Sequence, residues 1–359
     1  MKNSAICLTA STLFLVSCAA KSPNAEAVAP ATAATTAAQP KASSTTSAST
    51  TLAAQGRDPA EFPGYVDQLK QQARGQGISD ATINAAFANV HFVDRVIKSD
   101  QNQLEKKVTL DDYLSRVITQ AKIDRARELY QQYQPELASV SAQTGVQANY
   151  IVALWAMESQ FGKIQGKEDI ISALSTLAFE GRREAFFTKE LMASLKIIDQ
   201  GHASADQLKG SWAGAMGQNQ FMPSSYLRYG KDGDGDGKID IWNNTSDVFA
   251  STANYLATEG WQAGGGWGTE VKLPEGFNPG LAGTKTAQGK TVAQWQKLGV
   301  TLPDGLQLPA STERAWIVTP DDNQARSFLV YNNFRTIMRW NRSYYFAISI
   351  STMADAIVK

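Results

Sequence analysis

Apolar positions along this 359-residue chain fall into four textures. The first is a short apolar run from Ala5 to Val16, behind Lys2. It is too short for a comfortable transmembrane helix. The second, Ala19 to about Ala54, is almost entirely Ala, Thr, Ser, Pro and Gln and has no apolar period. The third starts near Arg57 and repeats at helical spacing. Tyr65 to Gln76 carries apolar residues at 65, 66, 69 and 73. Ser79 stands where a cap is needed before Ile83, Ala86 and Phe87, with Asp80 in the first turn. Leu110 to Val117 and Ile123 to Val140 continue the pattern, and Pro135 should interrupt the second run. Over Tyr150–Gly162 the stripe (151, 154, 155, 161) is widened by Val152 and Met157, which predicts a buried helix ended by Gly162. Ile170 to Phe179, Phe186 to Ile198 and Val248 to Leu256 predict further helices. The fourth texture begins after Gly264, where Gly and Pro become frequent. There Ala315–Val318 and Ser327–Val330 read as strands and Thr291–Leu298 as a short helix. The expected class is mainly α, of α+β type: a helical N-terminal region, a helical centre, and a small mixed α/β C-terminal region.

Composition changes this picture little. Basic and acidic residues balance at 34 each, so no overall charge points to nucleic acid. The leader adds more. The apolar run ends in Leu15-Val16-Ser17-Cys18-Ala19, which resembles a bacterial lipoprotein signal and implies cleavage before a lipidated Cys18. Residues 1–17 are then a signal peptide. Residues 18–56 form a disordered tether, because such a segment cannot bury enough surface to offset its ordering entropy. Cys7 and Cys18 are the only cysteines, so a mature chain lipidated at Cys18 relies on its core rather than on disulfides.

Glu158 is the one charge in the Tyr150–Gly162 stripe. Its helical neighbours are Leu154, Trp155 and Phe161. A carboxyl held against such walls loses hydration, and its pKa rises into the range a general acid needs near neutral pH.

Residues 210–225 are rich in Gly and small polar side chains. Such a stretch brings backbone and short polar groups close to a ligand. Ser211, Gln218, Asn219 and Gln220 offer hydrogen bonds to sugar hydroxyls or acetamido groups, and Trp212 and Phe221 offer flat faces. Directly afterwards, Asp232, Asp234 and Asp236 occupy positions 1, 3 and 5 of an EF-hand-type loop, with Gly237 at 6 and Ile239 at 8. Lys238 supplies a backbone carbonyl at position 7. Position 12, normally a bidentate Glu, is Asn243, and Asp247 stands four residues further on to close a longer loop. All-oxygen ligands favour calcium, in a structural role.

Taken in order, Glu158-Ser159-Gln160-Phe161-Gly162, Leu174 to Phe179, Arg182-Arg183, Gly214 to Ser225, the Asp/Gly loop and Asn333 to Ser343 resemble the membrane-bound lytic murein transglycosylase B family. The resemblance spans roughly residues 60–355. It implies a lysozyme-like helical catalytic domain with a calcium loop, and cleavage of the β-1,4 bond between N-acetylmuramic acid and N-acetylglucosamine to leave a 1,6-anhydro end. It also implies roles for particular residues. Glu158 is the acid/base. Ser211, Gln220, Asn341 and Trp340 face saccharide, Trp340 standing where some members have Tyr. Arg182 and Arg183 meet peptide carboxylates. Asp232, Asp234, Asp236, Lys238 and Asp247 hold calcium. Within a catalytic unit of residues 57–359, the lysozyme-like core covers about 140–262 and the mixed region about 263–359. The implied partners are peptidoglycan strands and, through the lipid, a membrane, with wall-synthesis proteins as candidates and no nucleic acid. Ala19 after the cysteine favours the periplasmic face of the outer membrane. Two alternatives remain open: a hydrolytic muramidase, and a non-catalytic, calcium-stabilised wall-binding lipoprotein.

Overall fold

A computed structural model describes residues 57–101, 108–321 and 325–359. The signal peptide, the tether and Cys18 lie outside the described residues. The chain is mostly helical with two small sheets.

The N-terminal helices follow their apolar stripes. α1 (Phe62–Gly75) buries Phe62, Tyr65, Val66, Leu69 and Ala73. α2 (Asp80–Phe87) is capped by Ser79, whose Oγ accepts from the Thr82 amide. α3 (Asp94–Gln101) and α4 (Leu110–Val117) follow. Pro135 breaks the next run as expected, sitting in the first turn of α6 (Gln134–Thr144) just after α5 (Gln120–Gln132).

α7 (Ala148–Ser159) is the centre: every residue from Tyr150 to Ser159 is buried. It is apolar all round because helices cover it on several sides. Among them are α5, α6, α11 (Thr245–Thr258) and the last helix, α14 (Tyr344–Val358). α7 ends earlier than the sequence suggested. It stops at Ser159, and Gln160, Phe161 and Gly162 all take left-handed conformations (φ 50°, 59° and 80°). The left-handed exit is therefore three residues long and begins on a glutamine, not on Gly162. Phe161 still packs edge-on against Trp155, with ring centroids 5.5 Å apart.

α8 (Ile170–Glu180), α9 (Glu184–Asp199) and the short α10 (Pro223–Tyr229) complete the central helices. β1 (Glu168–Asp169) pairs with β2 (Lys209–Gly210) and pins the start of the Gly-rich stretch. In the C-terminal region β3 (Gly268–Val271), β4 (Lys290–Thr291), β5 (Arg314–Val318) and β6 (Ser327–Val330) form an antiparallel sheet in the order β3-β6-β5-β4. α12 (Val292–Lys297) follows β4, and α13 (Asn332–Trp340) leads from β6 to α14. Side chains alternate across the sheet. Ala315, Ile317 and Leu329 pack with Trp295 in a small second core, while Trp316, Val318, Phe328 and Val330 join the main one. Both faces are covered, so β5 and β6 read as continuous apolar runs rather than alternating ones. Among the described residues no helix is long and apolar enough to cross a membrane.

Candidate active site

Glu158 sits in the last turn of α7, only 8% exposed. Its Oε1 accepts a hydrogen bond of 2.7 Å from the indole N–H of Trp340, at the end of α13. The Trp340 ring packs on Phe221 and Tyr255, with centroids at 5.1 and 4.7 Å. Three segments far apart in sequence thus converge on the indole that bonds the carboxyl: α13, the Gly-rich stretch and α11. Burial pushes the Glu158 carboxyl up to about 8, opposed only by the Trp340 donor. Near neutral pH the group therefore keeps its proton. Tyr113 on α4 joins the same neighbourhood. Its pKa is raised by burial and, to a lesser extent, by the Glu158 charge. Sequence reasoning passed over Tyr113, although it lies three residues after Leu110 on the inward stripe of α4.

The Gly-rich stretch is held by its own polar groups. The Ser211 and Ala215 backbones pair at 2.8 Å, and the Ser211 Oγ accepts from the Ala215 amide at 3.0 Å. Between them Gly214 takes φ 92°, and a Cβ there would lie 2.6 Å from Leu174. Gln220, at φ 52°, donates to the carbonyls of Gly217 and Gln165 at 2.8 and 3.1 Å. Ser211 and Gln220 thus shape the loop. Gln218 has a reach the sequence did not reveal. Its Oε1 accepts from the Trp155 indole at 2.7 Å, and its amide donates to the Trp242 carbonyl at 3.0 Å. Asn341, next to Trp340, keeps its Oδ1 buried with no hydrogen-bond partner among the described residues. A buried acceptor left open, one residue from the indole that bonds the acid, is suited to a ligand donor.

Arg182 and Arg183 follow a different course. Both guanidinium groups bond the carboxylate of Asp100 on α3, and Arg182 also bonds Glu180 at 3.2 Å. The Asp100 side chain is only 4% exposed, so the pair neutralises a buried charge and ties α3 to the α8–α9 turn. The Arg183 guanidinium also lies over the Phe187 ring at 4.6 Å. None of these partners is shared with Glu158.

The acidic loop brings carboxylate oxygens of Asp232, Asp234 and Asp247 within 4.8 Å of one another. Asp247, in the first turn of α11, is fully buried. It accepts from the amides of Gly233 and Asp240 at 2.8 and 2.6 Å. Its pKa is raised chiefly by burial and further by Asp234 and Asp232. Three close carboxylates, one of them buried, fit a hard divalent cation. Asp236 lies outside this cluster and accepts from the Lys238 amide at 2.8 Å instead. Asp240 caps the Trp242 and Asn243 amides, both at 2.9 Å.

Residues 61–355 match the transglycosylase SLT domain family. Membrane-bound lytic murein transglycosylase B of Escherichia coli K12 is 32% identical over 248 residues, which cover 68% of this chain and 66% of the relative. The match therefore spans just under two thirds of that relative's length. Among solved structures, SltB3 of Pseudomonas aeruginosa in complex with NAG-anhNAM-pentapeptide superposes with a TM-score of 0.78 at 39% identity, covering 83% of this chain and 79% of that one. Escherichia coli Slt35 in complex with calcium gives 0.71 at 27% identity, covering 84% and 93%.

Proposed function

This chain belongs to the transglycosylase SLT domain family, and from that premise we propose that it is a lytic murein transglycosylase. It cleaves the β-1,4 bond between N-acetylmuramic acid and N-acetylglucosamine and leaves a 1,6-anhydromuramyl end. The observation that carries this reading is the burial of Glu158 with one neutral donor, Trp340, on its carboxyl. Hydrolytic glycosidases generally need two carboxylates flanking the bond. A lone acid suffices when the substrate supplies the nucleophile. Protonated Glu158 gives its proton to the bridging oxygen as the C1–O bond breaks. The resulting carboxylate then takes the proton of the muramyl 6-hydroxyl as that oxygen closes on C1. Glu158 ends as it began, and no water is consumed. Intramolecular closure has a high effective molarity, so the ring outcompetes solvent.

Asn341 offers its open Oδ1 to a sugar N–H or O–H, and Trp340, besides holding the acid, borders the sugar. Ser211 and Gln220 set the loop's shape and reach the sugar through it. Arg182 and Arg183 are assigned to Asp100 rather than to stem-peptide carboxylates. Asp232, Asp234 and Asp247 would hold calcium, with Lys238 and Asp236 as the further candidates on the loop. The ion braces the loop against α11 and supplies no chemistry to the bond. That calcium is the ion is supported by the Slt35 complex. The protein is lipid-anchored through Cys18 at the periplasmic face of the outer membrane.

Digestion of purified sacculi, followed by mass spectrometry, tests the reading. Wild type releases anhydromuropeptides and Glu158→Gln releases none. A product heavier by one water identifies a hydrolytic muramidase, and binding with no soluble muropeptide identifies a wall-binding lipoprotein.

A further inference from the structure

Glu259 stands directly after α11 and gathers three side chains onto one carboxylate. The Tyr229 hydroxyl, at the end of α10, donates to its Oε1. The Arg228 guanidinium reaches the same oxygen at 3.3 Å. From α13, Arg339 donates to the Glu259 backbone carbonyl at 2.5 Å and to its Oε2 at 3.2 Å. The Glu259 side chain is only 16% exposed, whereas both arginines are open to solvent. Its pKa is lowered, chiefly by the Tyr229 hydroxyl, so it is ionised near neutral pH. Arg339 directly precedes Trp340, and its bonds to Glu259 fix the last turn of α13. The first turn is fixed separately. There Asn332 donates to the Gly260 carbonyl, and Asn333 to those of Gln262 and Gly265, all at 2.9 Å. A second path from Glu259 runs through rings. Tyr229 packs on Tyr255, and Tyr255 on Trp340, with centroids at 4.4 and 4.7 Å. Both paths end on the indole whose N–H bonds Glu158.

We propose that Glu259 is a positioning residue for the reaction: by clamping Arg339 and the Tyr229–Tyr255 pair, it holds the Trp340 indole on the Glu158 carboxyl. The inference rests on the transglycosylase reading above. Glu259 acts on the acid only through Trp340. A ring held by stacking alone is free to slide, whereas a hydrogen bond weakens steeply once its N–H is misaligned. An anchor one residue away removes that freedom. Position and charge make opposite demands here. Removing Glu259 deletes an anion, which by charge alone makes Glu158 easier to ionise. Removing Arg339 deletes a cation, which by charge alone makes it harder. When each acts by aiming the indole, both substitutions weaken the one donor that favours the Glu158 anion, and both make ionisation harder. Tyr113 of α4, coupled to the Glu158 charge, and Tyr229 and Tyr255 on the ring path all have raised pKa values. None of the three titrates alongside the acid.

The test titrates the acid directly in the full chain. Carbon-13 NMR of protein labelled at glutamate Cδ follows the Glu158 carboxyl with pH, its signal assigned by its loss in Glu158→Gln. The wild-type midpoint falls near 8. Glu259→Ala and Arg339→Gln should each move it up by about half a pH unit, part of the roughly one unit that a hydrogen bond to a charged group supplies. Glu259→Gln, which keeps acceptors for Tyr229 and Arg339, should stay closer to wild type. In a Trp340→Phe background neither substitution should move the midpoint, because the donor they aim is gone. Arg228→Gln, which removes a cation from the same carboxylate but leaves α13 anchored, should leave it in place. Opposite shifts in Glu259→Ala and Arg339→Gln overturn the proposal, as do shifts that persist without the indole. Unmoved midpoints overturn it too, as does an Arg228→Gln shift equal to that of Arg339→Gln. Should Glu259→Ala fail to fold, the exposed Arg339→Gln, with and without Trp340→Phe, decides alone. Absence of anhydro product from the unmutated protein is a separate failure, that of the enzymatic reading, and leaves this titration intact.

Discussion

Glu158 and Asp247 are both buried carboxylates, and burial raises the pKa of each. Their surroundings then diverge. Glu158 has apolar walls and one neutral indole donor. Asp247 has two backbone amides and two further carboxylates, Asp232 and Asp234, at close range. A solitary buried acid avoids the desolvation penalty by keeping its proton. Three crowded ones are neutralised together by a single divalent ion. The same functional group is suited to hold a proton in one place and to share a cation in the other, and the neighbours decide which.

The largest effect comes from removing the solitary acid. Glu158→Gln should lower kcat by at least about a thousandfold, since the one proton donor and acceptor is gone. A pH scan sharpens the test. Folded Glu158 titrates near 8, against a reference value of 4.5. Between those values the native state holds a proton the unfolded chain has released. Its stabilising contribution is complete below about 4.5, declines by roughly 1.4 kcal/mol per pH unit, and is gone above 8. The wild-type melting temperature should therefore fall relative to Glu158→Gln as pH rises from 5 to 8. Parallel curves for the two proteins would mean that Glu158 is not buried as an acid.

The crowded site breaks differently. Calcium at about 100 times its dissociation constant should stabilise the protein by roughly 2.7 kcal/mol, read as a rise in melting temperature reversed by chelation. Magnesium, which prefers smaller octahedral sites, should do less. Asp247→Ala should abolish the calcium response, whereas Asp236→Ala, outside the cluster, should retain most of it. Equal losses from the two would mean that the ion sits at the exposed end of the loop.

The two regions are also joined. Gln218 links the Trp155 indole, one turn before Glu158, to the Trp242 carbonyl beyond the acidic loop. Gly162 lies so close that a Cβ would come within 2.3 Å of the Gln218 Oε1. Gln218→Leu strands the buried Trp155 N–H and should cost about 1–3 kcal/mol of stability. It should also remove any effect of chelation on kcat. A calcium-dependent kcat that survives this substitution would mean the coupling runs through other contacts.

How much of this could be read from the chain depends on the range of each interaction. Local patterns were informative: the Ser79 cap, the Pro135 break and the bounds of β6 follow from neighbours a few residues apart. β3 and β4 left no signal, because one is half-exposed and the other is two residues long. The charge of Glu158 on an apolar stripe was visible, but its Trp340 donor lies 182 residues away. That pair exists only because α14 folds back along α7. Arg182 and Arg183 hide their partner for the same reason. A basic pair in sequence reads as ligand-facing, and only the fold discloses a buried Asp100 more than 80 residues earlier. Gly162 reads as a helix stop because glycine tolerates positive φ, yet Gln160 and Phe161 take positive φ as well, both amides donating to the Trp155 carbonyl while the Phe161 ring packs on the Trp155 indole.

The smallest effect tests how the solitary acid is tuned. Trp340 is the one group that favours the Glu158 anion, and its N–H lowers a pKa that burial has raised. Trp340→Phe keeps a flat apolar ring against Phe221 and Tyr255 but removes the donor. The alkaline limb of kcat/KM should then move up by about one pH unit, the order expected for one hydrogen bond to a charged group. Activity at pH 7 should fall modestly, because the acid remains protonated but is less well oriented. Trp340→Tyr, which restores a donor on a shorter side chain, should bring the limb part of the way back. A limb unmoved in the Phe variant would mean that the indole serves only as a wall and that burial alone sets the proton's affinity. Movement in the opposite direction would mean that water enters where the indole stood and rehydrates the carboxylate, making Trp340 part of the desolvation rather than its counterweight.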